Sequence, residues 1–424
     1  MDVHKIVIIG AGFAGLRTAL ELEKRCARMK SCEILLIDRR AEHLYTPLLY
    51  EVSSGELQAS NRSCSGDLKS GVCVRFDAYV NIVKKKHIRF RRAEVTGIDR
   101  EEQVVLLSGG ERISYNDLVI AMGVEVATFG IPGVAEYALP MKTLSDAFAI
   151  RDRLHGFVQG YIDGKEKHLS IIVVGGGATG VEFAAESANF FARLASTGVL
   201  KSADYSVTLL EAAQNILPVF SESVRAVALH RLKELGVTIQ VQTKLDEVKK
   251  GRVFVTGKLG MPSEYPSDVA VWTAGVKPMA AGKAWGLPTD ERGSIQIERS
   301  FVVVGEKHIF ALGDCVMFKH PKTKTPVPAL AQVAVREAGV VAENIVRQLE
   351  RKLPVTWSPP ERWAVVVPMG GKYAIADFGK FHLSGTLGFF VRKIADLFYF
   401  LSILPPLEAW KFWRQGADVY AKND

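Results

Sequence analysis

Residues 5–15 read K-I-V-I-I-G-A-G-F-A-G, and residues 170–180 read S-I-I-V-V-G-G-G-A-T-G. In each, a run of apolar β-formers enters a glycine loop, and a helical pattern follows. Gly10 permits the tight turn, Gly12 lets a pyrophosphate approach the backbone, and Gly15 lets the helix pack on its strand. The helix N-terminus is left aimed at phosphate. Gly175, Gly177 and Gly180 repeat the arrangement. After each helix comes a further apolar stretch, C-E-I-L-L-I-D at 32–38 and S-V-T-L-L-E at 206–211, ending in a carboxylate that can accept from a ribose diol. Two such units imply two bound dinucleotides. Glu211 would repel a 2′-phosphate, and Ala212, Ala213 and Gln214 supply no arginine to offset it, so NADH is favoured over NADPH. Asp38 suits the adenosine ribose of FAD.

The elements that must position these groups follow from pattern. Strands are expected at 88–98, 103–107, 115–123, 269–276 and 308–314, and helices at 144–158, 181–195 and 328–343. The segment 42–52, E-H-L-Y-T-P-L-L-Y-E-V, is apolar, aromatic and proline-broken, and suits either a loop laid against a flat ligand or a core loop. Gly313-Asp314 closes a strand where a carboxylate can reach a ribityl or ribose hydroxyl. Ala329, Ala331, Gln332 and Ala334 begin a helix whose small residues admit a ring system.

The chain has 424 residues, 48% of them hydrophobic, enough for two or three domains. Lys and Arg outnumber Asp and Glu by 54 to 46, a net charge of +8 that suits anionic cofactors or a membrane surface. It does not suit nucleic acid: the one dense basic run, 84–92, is interleaved with Ile88 and Phe90 and reads as a strand with one solvated face. Cys26, Cys32, Cys64, Cys73 and Cys315 lack zinc-like spacing and suggest no disulfide framework, from which a reducing compartment follows. Cys64 and Cys73, in the polar loop 61–74, read as two unrelated thiols rather than a dithiol. No secretory signal precedes the first strand.

Taken together, G-A-G-F-A-G, T-P-L-L-Y-E at 46–51, the A-M-G turn at 121–123, G-G-G-A-T-G-V-E at 175–182, W-T-A-G-V, A-L-G-D and A-Q-V-A at 331–334 resemble the two-dinucleotide flavoprotein superfamily. Within it they are most similar to type II NADH dehydrogenases, the single-subunit, non-pumping NADH:quinone oxidoreductases. That resemblance implies two Rossmann-like α/β domains. FAD would occupy residues 1–145 and 281–380, NADH an inserted domain at 146–280, and a C-terminal amphipathic membrane-associating segment would follow at 381–424.

By the same resemblance FAD is held through Gly10, Gly12, Gly15 and Asp38, with Thr46, Pro47 and Ala121 near the flavin and Asp314 on its ribityl chain. NADH is held through Gly175, Gly177, Gly180 and Glu211. Phe13, Ala14, Arg39, Gly123, Thr179, Ala274, Gly275, Gly313 and Ala331 complete the cofactor-binding set, with no metal. Glu182 would lie beside nicotinamide and flavin, and Gln332 where flavin meets the quinone head. Both are candidates to orient quinone or relay protons; the alternatives are a favourable charge at a helix N-terminus and a plain core amide. The sequence departs from the family at Arg336 and Met122. It lacks the cysteine that disulfide reductases carry near 43–52, and has none between Cys73 and Cys315 where sulfide:quinone oxidoreductases need them. Cys315 reads as a small buried residue.

In the stretch 387–404, Phe390, Val391, Ile394, Leu397, Phe398 and Leu401 share one helical arc, with Arg392, Lys393 and Asp396 opposite. Pro405 and Pro406 stop this helix, and residues 407–414 add Trp410, Lys411, Trp413 and Arg414. Three charges argue against a spanning helix, so the segment is expected to lie in a lipid interface. The alternatives are docking on the protein's own core or on a second subunit. The expected protein is peripheral on the cytoplasmic side of a membrane, with NADH, a membrane quinone and lipid as partners, no nucleic acid, and a homodimer possible in principle. Two other readings fit the same residues, a soluble NADH-dependent flavin reductase with another acceptor and a slowly turning over NADH-binding sensor.

Overall fold

The computed structural model describes residues 3–28, 31–54, 73–75 and 87–423. The loop 61–74 and the thiols of Cys64 and Cys73 therefore fall outside the described side chains. Two five-stranded parallel sheets dominate. In the first, β1 (His4–Ile9) pairs with β2 (Cys32–Asp38) from His4↔Cys32 to Ile9↔Ile37. Outside β2 lies β3 (Ile88–Arg92), and on the other side of β1 lies β4 (Asp117–Ile120).

The second sheet repeats the plan. Its centre is β6 (Leu169–Val174), paired with β7 (Tyr205–Leu210) from Leu169↔Tyr205 to Val174↔Leu210. Beyond β7 lies β8 (Thr238–Gln240), and on the other side lie β9 (Val269–Trp272) and then β5 (Ala138–Pro140). Strand β5 is already part of this sheet, so the chain crosses over before residue 145. The first sheet is completed late, by β10 (Ile309–Ala311) beside β4. One sheet is thus built from both ends of the chain and the other from its middle.

The helices follow from the same residues. Helix α1 (Phe13–Arg25) leaves the first glycine loop and buries Leu16, Ala19, Leu20 and Leu22. Helix α2 (Leu49–Ser54) belongs to the aromatic segment, and α3 (Leu144–Ile162) opens with a capping box between Thr143 and Asp146. Helix α4 (Ala178–Ser196) leaves the second glycine loop. Helix α5 (Ala331–Leu349) packs alongside α1. It begins three residues later than the pattern from Pro328 indicates, because Leu330 is still extended.

The run 88–98 divides: β3 joins the first sheet, and Val95–Asp99 joins a separate antiparallel sheet. In β3, Ile88 is buried while Arg89, Arg91 and Arg92 are exposed, as expected of a strand with one wet face. A three-stranded antiparallel sheet, β11 (Val365–Pro368), β12 (Ala374–Asp377) and β13 (His382–Gly385), leads into α6 (Thr386–Ile403) and α7 (Pro406–Asn423).

Cys26 and Cys32 are disulfide-bonded, with Cα atoms 6.2 Å apart. The expectation of no disulfide is corrected here. The strand–helix–strand turn, not the cysteine spacing, brings the end of α1 to the first residue of β2. Cys315 is a buried free thiol whose pKa burial pushes up to about 12.

Candidate active site

The two glycine loops share one backbone plan. Gly10 has φ +97° and Gly175 φ +110°, left-handed conformations that favour glycine. A Cβ on Gly15 would overlap the carbonyl of Gly10, and one on Gly180 that of Gly175. Around Gly12 and Gly177 the corresponding space is empty. Each open glycine is the N-cap of its helix and has no side-chain cap, so the first amides of α1 and α4 remain available for phosphate oxygens.

Both strand-end carboxylates are held the same way. Asp38 accepts from the N–H of Ala11 at 2.8 Å and of Arg40 at 2.8 Å. Glu211 accepts from the N–H of Gly176 at 2.6 Å and of Ala213 at 2.6 Å. These bonds fix each carboxylate at the lip of its loop, and the remaining lone pairs can take ribose hydroxyls.

The surroundings differ. Over the first loop, the Phe13 ring meets those of His43, Tyr45 and Tyr399 at centroid distances of 5.2, 6.0 and 5.2 Å. His43 is 1% exposed, and burial lowers its pKa to about 4, so the ring is neutral near pH 7. Its Nδ1–H donates to Ala11 O at 3.0 Å, and its Nε2 accepts from the Tyr399 hydroxyl at 2.6 Å. Over the second loop, Thr179 and Ala274 are exposed, and the matching carbonyl of Gly176 is held by the backbone N–H of Leu217 at 2.7 Å.

Thr46 and Pro47 are half-buried in the turn before α2, Ala121 is buried against Gly10, and Gly123 follows in the same turn. Arg39 is exposed next to Asp38, and Gly275 accepts from the Ala127 N–H. Gly313 lies between Ala14 of α1 and Ala334 of α5. Asp314 faces Lys142. Burial raises the Asp314 pKa and lowers that of Lys142, while the attraction between them opposes both shifts.

Glu182, on the first turns of α4, is half-buried, and desolvation pushes its pKa up to about 8. Arg392 pulls it down, and Glu51 adds to the rise. Gln332 is exposed beside half-buried Ala331, its Nε2 donates to Ala364 O at 2.6 Å, and Arg336 lies over the Trp363 ring.

Sequence pattern missed two groups. Glu337, only 3% exposed, accepts from the Gly313 N–H at 2.7 Å, and burial raises its pKa to about 7. Its signal was a carboxylate on the apolar stripe of α5, among Val333, Ala334, Ala338 and Val341.

The other group reverses a reading of α6. Arg392, Lys393 and Asp396, which periodicity sets opposite the apolar arc, are only 7%, 6% and 2% exposed. Arg392 pairs with Asp396 and donates to Pro47 O at 2.9 Å. Tyr45 donates to Asp396 at 2.6 Å, Lys393 approaches Glu51 at 3.9 Å, and Tyr50 donates to Glu51 at 2.8 Å. Burial opposes the charge on Arg392, yet Asp396, Tyr50, Tyr45 and Glu51 together raise its pKa.

The opposite stripe, Leu387, Phe390, Ile394, Phe398 and Leu401, faces outward, each residue 41–68% exposed. Leu407 and Trp410 extend it on α7. Trp413 instead points inward and donates to Lys393 O at 2.6 Å. Among the described residues no helix is long and apolar enough to cross a membrane.

A family model described as pyridine nucleotide-disulphide oxidoreductase matches residues 4–338. A type II NADH:quinone oxidoreductase of Staphylococcus aureus is 29% identical over 399 residues, covering 93% of this chain and 94% of the relative. The structure of NDH2 from Plasmodium falciparum in complex with NADH superposes with a TM-score of 0.83 at 19% identity, over 98% of this chain and 97% of that one. The sulfide:quinone oxidoreductase of Aquifex aeolicus gives a TM-score of 0.77 at 19% identity, over 97% and 92%. These two superpositions establish the shared fold.

Proposed function

The chain belongs to the pyridine nucleotide-disulphide oxidoreductase family, and from that premise we propose that it is a non-pumping NADH:quinone oxidoreductase working through FAD. The observation that carries the reading is the pair of glycine loops, each closed by a strand-end carboxylate. FAD, when bound, takes a hydride from NADH and returns two electrons to a quinone. The protein supplies binding, orientation and proton handling. Our assignment gives the first sheet and its surrounding elements, from both ends of the chain, to FAD, the second sheet, which includes β5 before residue 145, to NADH, and 381–424 to the membrane surface.

In this assignment the amides after Gly12 bind the FAD pyrophosphate, Asp38 its ribose and Asp314 its ribityl chain. Thr46, Pro47, Ala121, Gly123, Gly313 and Ala331 shape the space for the ring, and Phe13, Ala14 and Arg39 line the loop. Gly177, Thr179, Glu211, Ala274 and Gly275 do the corresponding work for NADH. A quinone gains protons as well as electrons, and Glu182 is protonated below about pH 8. It can hold the proton that a reduced quinone oxygen takes up. Gln332 orients the quinone head while its amide stays tied to Ala364 O.

The outward stripe of α6 lies in the lipid interface on the cytoplasmic side. Each large side chain contributes about 1.5–3 kcal/mol on burial, so five residues are enough for reversible attachment. A second copy of the chain is the competing cover for this face. Anaerobic half-reactions test the function. NADH should bleach the flavin, and menaquinone or ubiquinone analogues should restore its colour far faster than oxygen does. Fast bleaching with equally slow reoxidation by both quinones would point to another acceptor.

A further inference from the structure

We propose that Cys26, Cys32 and His87 form a redox-gated zinc site, closed while the two sulfurs are bonded to each other and open to the cation once they are reduced. One ligand atom from each of the three lies within 4.8 Å of the others. Cys26 caps the C-terminus of α1, Cys32 begins β2 and His87 immediately precedes β3, so one helix end and two adjacent strand starts deliver the donors to one place. His87 is held against the sulfurs by Glu23, through its Nδ1 at 3.4 Å and its backbone N–H at 3.2 Å. Its own carbonyl accepts from the Ile34 N–H at 2.9 Å. A carboxylate on an imidazole is the arrangement that orients metal-bound histidines.

Two thiolates and an imidazole are the donors Zn²⁺ prefers, with water or Glu23 left for the fourth position. In a tetrahedral zinc site two sulfurs stand about 3.8 Å apart, from Zn–S bonds near 2.3 Å. The freed thiols can reach that separation while their Cα atoms stay near 6.2 Å. Opening needs a dithiol reductant. Its two thiols become a disulfide, Cys26 and Cys32 become thiols, and Zn²⁺ then displaces their two protons. The place is remote from the dinucleotide loop: α1 has 13 residues, so its ends are about 20 Å apart.

The test uses the full-length FAD-loaded protein, oxidised or reduced with a phosphine that is then removed under argon. Each sample is titrated with Co²⁺ as a spectroscopic stand-in and back-titrated with Zn²⁺. The expected result is one equivalent of thiolate-to-cobalt charge transfer in the reduced sample alone, abolished by Zn²⁺. Cys26→Ser and Cys32→Ser should lose the band, and His87→Ala should weaken binding about tenfold or more. NADH-dependent flavin bleaching should be unchanged in all three. His87 is at the surface, so His87→Ala keeps the test decisive if a cysteine variant fails to fold. No band in the reduced protein, the same band in both redox states, or a band that survives His87→Ala at full affinity would overturn the proposal.

Discussion

The two glycine loops share one backbone and differ in what covers them. The first is closed by side chains: Phe13, Tyr45 and Tyr399 crowd it, and neutral His43 bridges Ala11 O to the Tyr399 hydroxyl on α6. The second is held by the Leu217 N–H on Gly176 O and the Thr273 hydroxyl on Gly175 O, and its rim residues Thr179 and Ala274 are open to solvent. A nucleotide under an aromatic lid leaves slowly, while one at an open rim exchanges with each turnover. Under the proposed assignment the first loop would hold a resident cofactor and the second a consumable one, although the fingerprints are nearly the same.

The largest expected effect comes from the closest approaches. In Gly15→Ala the new methyl must displace the Gly10 carbonyl, and the protein should purify without flavin. Gly180→Ala should keep its flavin but raise the KM for NADH about 100-fold, for about 3 kcal/mol of displaced backbone. Equal flavin content in the two variants would break the assignment of one loop to each nucleotide.

Next in size is Glu211→Arg. It removes an acceptor of ribose hydroxyls and supplies a partner for a 2′-phosphate, so the NADH/NADPH preference should fall by one to two orders of magnitude, about 1.4 kcal/mol per tenfold. An unchanged preference would contradict Glu211 as the ribose ligand. Steady-state kinetics with both nucleotides reads this directly.

His43→Ala sharpens the comparison from the other side. It removes the ring that bridges Ala11 O to the Tyr399 hydroxyl, at about 1–3 kcal/mol, so FAD should dissociate about 10- to 100-fold faster while the KM for NADH stays put. An equal loss at both nucleotides would mean that the aromatic lid does not distinguish them.

The smallest effect is in pH. The Glu182 pKa is raised from 4.5 to about 8, so between those values the native state binds more protons than the unfolded one. Its contribution to stability is therefore fully present below about 4.5 and declines as pH rises to about 8. Glu182→Gln should flatten that slope in denaturant titrations. It should also remove a limb near pH 8 from quinone reduction while leaving NADH bleaching unchanged.

Much of this was legible in the chain because it is local. Strand, glycine loop, helix and strand-end acid lie within residues 4–38 and again within residues 169–211, and the repeated order gives the strand pairing around β1 and β6. What escaped is long-range. Charges at Arg392, Lys393 and Asp396 read as a wet face by periodicity, but their partners Tyr45, Pro47 and Glu51 lie more than 340 residues earlier. A helix that buries its ions and exposes its hydrophobes looks ordinary in a one-dimensional pattern, and only the partner segment shows which face turns inward. The disulfide escaped although it is local: Cys26 and Cys32 are six residues apart and match no cysteine motif, and they meet because the chain passes from the end of α1 straight into β2.

The most direct measurement of the central claim is flavin stoichiometry under NADH titration. The account predicts a yellow protein with one dialysis-resistant FAD per chain, bleached anaerobically by one equivalent of NADH that itself exchanges freely. A colourless protein that stays colourless when offered FAD, or a bound flavin that NADH does not bleach, would contradict it.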